Sequence, residues 1–213
     1  MSAPDAPLHA DNVTVRLGGT PIISEANLRL EAGDLALLTG PNGAGKSTFL
    51  RALVNLLPSD GDIYLSGLRP GNPAARSRFT YVPDEAALYE DLTLEEHTYF
   101  TALIYGQAGA AERMRSWLEL FGLQERLGEY PTTHSRGMRQ KLALALALGL
   151  DTPLQVLDEP FNGLDAEAQQ HLGEALKERC AAGGAVLLTG HQNELQANLD
   201  ARVLHLSGGQ LHA

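Results

Sequence analysis

Residues 40–48, Gly40-Pro41-Asn42-Gly43-Ala44-Gly45-Lys46-Ser47-Thr48, fit the pattern G-x-x-x-x-G-K-[ST] throughout. Glycines at this spacing let the backbone wrap closely and turn its N–H groups toward phosphate oxygens. A helix that starts at the end of such a loop points its positive end at the same anion. Lys46 places a mobile positive charge on the β- and γ-phosphates of a nucleotide, where it serves binding and catalysis alike. Ser47 offers a hydroxyl to magnesium. A chance glycine-rich turn would need neither a strand before it nor a helix after it, and this segment has both patterns. Kinases, GTPases and motor ATPases all use such a loop, so the loop alone does not choose among them.

The second chemical feature is acidic. Leu154-Gln155-Val156-Leu157 is an apolar strand pattern ending in Asp158-Glu159-Pro160. In a parallel sheet the C-terminal ends of the strands open on the ligand crevice. Asp158 can hold the magnesium shell there, and Glu159 can orient and deprotonate an attacking water. The same pair could instead cap a helix, but beside a complete phosphate loop the catalytic reading is the stronger.

These groups need a scaffold. Residues 12–17 and 26–30 alternate as half-buried strands, and 35–39 is a short apolar run leading into the loop. Residues 46–56 read as a helix closed by Pro58, and 62–65 and 78–82 as strands. Thr93 can cap a helix that carries Glu95 and Glu96 in its first turn and ends at Gly106. A second helix, about 110–121, sets Met114, Trp117, Leu118 and Phe121 at helical spacing, a stripe that reads as local core. Helix 136–150, strand 154–157, helix 165–180 and strand 185–189 follow. Residues 202–206 and 210–212 form a closing hairpin around Ser207-Gly208-Gly209. Strands alternating with helices predict an α/β protein with a largely parallel sheet.

Composition sets limits. The chain has 213 residues, 44% hydrophobic and 20% charged, enough for a substantial core. Its formal net charge of -10 argues against a broad nucleic-acid footprint and against adhesion to anionic lipid. One cysteine, Cys180, allows no internal disulfide. The first residues show no basic, apolar leader pattern, and the longest greasy stretch, 142–150, is far too short to span a bilayer. Any membrane role is therefore expected to come through a partner.

Taken in order, the phosphate loop, Asp158-Glu159-Pro160, Phe161-Asn162-Gly163-Leu164-Asp165 and His191 after strand 185–189 resemble the nucleotide-binding domain of ABC transporter ATPases over nearly the whole chain. The resemblance implies the ABC ATPase fold: a P-loop NTPase core, antiparallel β strands at one side and a helical insert. It also implies one domain over 1–213, with 1–83 and 134–213 as core and 84–133 as helical subdomain. Asp165 falls at the aspartate of the D-loop. His191 falls at the switch histidine, a catalytic contact to the γ-phosphate.

The family signature LSGGQ occurs literally at Leu206-Ser207-Gly208-Gly209-Gln210, yet it lies after His191 in the hairpin. The resemblance requires a signature that opens a helix before the acidic pair. His134-Ser135-Arg136-Gly137-Met138 stands there, so Ser135, Arg136, Gly137 and Met138 are the expected contacts to the other subunit's ATP. This S-x-G-M-[RK]-Q form is similar to ATPases paired with exporter-type permeases. Ser135 and Gly137 keep the signature's serine and second glycine, while His134, Arg136 and Met138 replace its Leu, first Gly and Gln, and two further positions depart from the pattern. Asp84 replaces the Q-loop glutamine, a metal ligand in the family, and Leu17 replaces the aromatic that stacks on adenine. The resemblance thus implies ATP and Mg2+ as cofactors. It implies a nucleotide-dependent homodimer or heterodimer, and a place at the cytoplasmic face of the membrane through an integral-membrane permease. The alternative is a non-transport ABC ATPase acting on nucleic acid or the ribosome.

Overall fold

The computed structural model describes residues 6–190 and 199–212. The chain divides into two compact units. The first comprises Met1–Tyr81, Thr152–Asp158 and Leu176–Ala213, and the second Val82–Asp151 and Glu159–Ala175.

The first unit holds two sheets. A three-stranded antiparallel sheet has the order β2-β1-β4, from β1 (Leu8–Leu17), β2 (Thr20–Leu30) and β4 (Asp60–Tyr64). Strands β1 and β2 are longer than their alternating patterns suggest because Gly18 and Gly19, at φ 56° and 83°, close them into a hairpin. Two positive-φ residues suit the tight turn that matches strand twist. The larger sheet has the order β5-β6-β7-β3-β8-β9, from β3 (Leu35–Thr39), β5 (Phe79–Val82), β6 (Leu154–Leu157), β7 (Ala185–Thr189), β8 (Arg202–Ser207) and β9 (Gln210–His212). Strands β6, β7, β3 and β8 run parallel, and β9 returns antiparallel. Every residue of β6 and β7 is buried, Gln155 and Thr189 among them, which is why these strands are mostly apolar and do not alternate. The core joins Leu38, Phe49, Leu50, Leu187 and Leu204 with residues of the small sheet such as Val13, Ile23 and Ile63.

Helix α1 (Lys46–Leu53) stops three residues before the expected Leu56. Asn55 turns left-handed at φ 61°, and the N–H groups of Leu56 and Leu57 both return to the Arg51 carbonyl. That closes the helix before Pro58 can act.

The second unit is helical: α2 (Leu94–Tyr105), α3 (Ala110–Leu120) and α4 (Arg136–Leu148), with the start of α5 (Ala166–Ala181). Thr93 and Glu96 form a reciprocal capping box at the start of α2, and Gly106 ends it in the left-handed conformation. Met114, Leu118 and Phe121 of the predicted stripe are buried, and Trp117 is only half-buried. The unit extends beyond 84–133 because α4 packs closely on α3. A Cβ on Gly149 would stand only 2.3 Å from Met114 Cγ.

Candidate nucleotide site

The parallel strands explain the positions of the phosphate-loop groups. Strand β3 lies between β7 and β8, and the loop leaves its C-terminal end at Gly40. Gly40 (φ 150°) and Gly45 (φ 99°) both need glycine. A Cβ would lie 2.2 Å from the Leu206 carbonyl oxygen in the first case and 2.9 Å from Ile22 Cγ2 in the second. Gly45 is also the residue from which α1 starts, its carbonyl accepting the Phe49 N–H at 2.8 Å. Ala44 N–H donates to the Pro41 carbonyl, which curls the loop over Asn42 and Gly43. Lys46 is buried and donates its ammonium to the Gly40 carbonyl at 3.0 Å, holding the mouth of the loop. Ser47 and Thr48 follow in the first turn of α1, half-buried.

Asp158 follows β6 directly and is 1% exposed. Its Oδ1 accepts a hydrogen bond from Thr189 Oγ1 at 2.7 Å, at the end of the neighbouring strand β7. Its Oδ2 is buried and has no hydrogen-bond partner among the described residues. A buried carboxylate oxygen left open in this way is costly unless a cation or a bound water meets it. The donor set, one carboxylate and the hydroxyl of Ser47, is the hard oxygen chemistry that magnesium takes. Thr189 was not singled out in the sequence, although a hydroxyl closing the apolar run 185–188 at the same strand edge was a readable signal. His191, two residues further on, lies outside the described residues.

Leu17 ends β1 beside the Gly18-Gly19 turn and is 44% exposed, so an apolar side chain is open to solvent at the position where the resemblance led us to expect an aromatic ring.

The remaining expected residues belong to the helical unit. Glu159 stands in a left-handed backbone conformation at φ 48°, an uncommon state for a residue with a side chain, and its carbonyl accepts the Asn162 N–H at 3.1 Å. Such outliers gather at functional sites. Ser135 is the N-cap of α4, its hydroxyl accepting the Met138 N–H at 3.3 Å. Gly137 meets the chain before Asp165 edge-on: a Cβ there would lie 2.4 Å from the Gly163 carbonyl oxygen. Asp165 caps the start of α5 through the Ala168 N–H at 2.9 Å and takes Lys141 Nζ at 2.5 Å. Lys141 first, then the Ala168 N–H, hold the Asp165 carboxyl below its ordinary range. Arg136 Nη2 donates to Asp84 Oδ1 at 2.8 Å. The expected metal position Asp84 thus has a cation partner of its own.

The literal LSGGQ string resolves into a β-hairpin. Leu206 pairs with Leu211 and Ser207 with Gln210, while the Gly209 carbonyl accepts the Ser24 N–H at 2.8 Å. It opens no helix, as the sequence order requires.

A phosphate loop leaving the central strand, with an acidic strand end in the same parallel sheet, defines a P-loop nucleoside triphosphatase. The family model described as "ABC transporter" matches residues 23–162. The chain belongs to this ABC transporter ATP-binding family, and its activity is that of an ATPase. It is 37% identical to the ABC-type transporter ATP-binding protein EcsA of Bacillus subtilis, over 80% of this chain and 71% of that one. It is 33% identical to the SkfA peptide export ATP-binding protein SkfE of the same species, over 89% and 80%. A solved ATP-binding subunit of an ABC transporter superposes with a TM-score of 0.90 at 32% identity, covering 98% of this chain and 89% of that one. A dimeric ATP-binding cassette bound to ADP and phosphate shares the fold, with a TM-score of 0.84 at 22% identity over 97% of both chains.

Proposed function

We propose that two copies of this chain, or this chain and a similar one, close head to tail on two ATP molecules and thereby drive a membrane permease of the export type. One observation carries the reading. The chain builds two separate helix starts suited to phosphate, α1 behind the loop 40–48 and α4 behind Ser135, and they belong to different compact units. One serves the chain's own nucleotide, and the other serves the nucleotide of its partner. The dimeric cassette of the same fold and the peptide-export relative support this arrangement and its direction.

In this reading the loop N–H groups and Lys46 hold the phosphates, and binding draws Lys46 off the Gly40 carbonyl. Ser47 and Asp158 would hold magnesium, which supplies positive charge to the β- and γ-phosphates. Thr189 fixes the Asp158 carboxylate so that its open oxygen faces one direction. Glu159 accepts the proton of the attacking water. The γ-phosphate contact that the family resemblance assigns to His191 completes the reading. Ser135 and Gly137 of one copy complete the site of the other, with Met138 beside them and Asp165 anchoring the adjoining segment to α4. Leu17 covers the base without stacking, which forgoes about 1 kcal/mol of aromatic contact. ATP and GTP are therefore expected to bind with similar affinities, and a strong preference for adenine would remove this role for Leu17.

Among the described residues no helix is long and apolar enough to cross a membrane. The proposed position at the cytoplasmic face therefore depends on the permease, with Tyr89 and Leu92 beside α2 as candidate contacts.

The test is Glu159→Gln in the full chain. Turnover should fall by about 100-fold or more, the scale of a lost general base. Sedimentation should show a dimer with ATP and a monomer without it. Intact turnover in this variant overturns the base assignment. Ser135→Ala should weaken the ATP dimer while Ser207→Ala leaves it unchanged; the reverse pattern would move the signature to the hairpin.

A further inference from the structure

Two departures from the family pattern meet in the helical unit. Asp84 stands where the resemblance places glutamine, and Arg136 where it places glycine. Arg136 Nη2 donates to Asp84 Oδ1 at 2.8 Å, and Asn162 Nδ2 lies 3.5 Å from the same oxygen. One carboxylate thus ties together three segments: the one after β5, the start of α4, and the one before Asp165. Both members of the ion pair face solvent, with side-chain exposures of 62% for Arg136 and 43% for Asp84.

Helix formation does not explain the arginine. Arg136 is the first residue of α4, directly after the cap Ser135. A helix N-terminus is already positive, so a cation there is unfavourable. No acidic residue stands in the first turn of α4 to offset it. Asp84 supplies the compensation from outside the helix. The same electrostatics make this helix start strongly attractive to an arriving phosphate. A guanidinium presents two parallel N–H donors that match a phosphate edge. An exposed pair with one carboxylate is weak and screened, so a multiply charged terminal phosphate can displace it.

We infer that Asp84 is a positioning residue that holds Arg136 in reserve until the terminal phosphate of ATP on a second copy of this chain takes the guanidinium. Arg136 then touches the substrate, and Asp84 sets how readily it is released. Asn162 keeps the Asp84 carboxylate turned toward Arg136. The step is an exchange of ionic partners and breaks no covalent bond. It rests on the two-copy reading above and gives Asp84 a role through Arg136 in place of direct metal ligation.

The experiment uses the Glu159→Gln chain with ATP and magnesium, with the dimer followed by sedimentation velocity across an ATP titration. Asp84→Asn should lower the ATP concentration for half-maximal dimer about two- to fivefold, because the competing partner is gone. Arg136→Ala should raise it about tenfold, the scale of one charged hydrogen bond, and Arg136→Lys should recover part of that loss. In the Arg136→Ala background, Asp84→Asn should have no effect. Asp84→Ser repeats the test with a second side chain. An Asp84→Asn shift of equal size with and without Arg136 overturns the inference and returns Asp84 to the metal. A rise in the ATP requirement with Asp84→Asn overturns it too. If the Glu159→Gln parent stays monomeric at saturating ATP, the two-copy reading itself fails and this inference falls with it.

Discussion

Gly137→Ala separates two reasons for a glycine in the signature segment. On an unconstrained helix, alanine in place of glycine stabilises by about 1 kcal/mol. Here the added Cβ would stand 2.4 Å from the Gly163 carbonyl oxygen, and reaching even 3.0 Å requires about 0.6 Å of movement. The obstacle is backbone, and Gly163 itself sits at φ 74°, so neither side gives way by rotating a side chain. Overpacking against such a neighbour costs about 1–3 kcal/mol. The difference is a net destabilisation of about 0–2 kcal/mol, where propensity alone predicts a gain. At about 2–4 °C per kcal/mol for a chain of this size, the melting temperature should stay level or fall by up to about 8 °C. Turnover should fall further than stability, by about tenfold or more, because the shift moves the segment between Glu159 and Asp165. Thermal melting and ATP turnover on the same preparation check both. A variant that is more stable by about 1 kcal/mol and fully active would refute the steric argument.

Three other outcomes follow from the geometry. Thr189→Val removes the hydroxyl that Asp158 Oδ1 accepts from, and a buried carboxylate that loses a donor costs about 1–3 kcal/mol. Its urea midpoint should fall and the magnesium requirement for turnover should rise, while Thr189→Ser restores both. Burial, with help from Asp34, pushes the Cys180 thiol up to about 11 from its ordinary 9.0. Near neutral pH a thiol reagent should therefore modify it about 100-fold more slowly in the folded chain than in urea, and equal rates would contradict its burial. Burial also holds His97 below its usual 6.5, against the opposing pull of the Thr93 carbonyl, Glu96 and Asp91. The folded chain then binds the proton later than the unfolded one, so this group's contribution to stability is full above about pH 6.5 and declines as pH falls below it. His97 accepts the Tyr89 N–H through Nε2, a bond that the protonated ring cannot accept. Urea midpoints between about pH 7.5 and 5.5 should slope less in His97→Gln than in the parent.

The sequence by itself determined the features that are local. The loop 40–48 is written in glycines and one lysine that no ordinary turn requires, and Asp158 and Glu159 announce themselves by ending an apolar run. The helix start at Thr93 is visible because a capping residue acts on N–H groups only two or three positions away. Even the LSGGQ decoy could be set aside from its order in the chain, and the β8–β9 hairpin accounts for it. What the sequence left open depends on residues far apart in the chain. The Gly18-Gly19 hairpin lengthens β1 and β2 through pairing that alternation does not register. Thr189 meets Asp158 across 31 positions, and Lys141 meets Asp165 across 24. Asp84 and Arg136 looked like two separate departures from a pattern. Only the fold places them 2.8 Å apart, because a side chain's type is local while its partner is decided by which segments the packed core brings together.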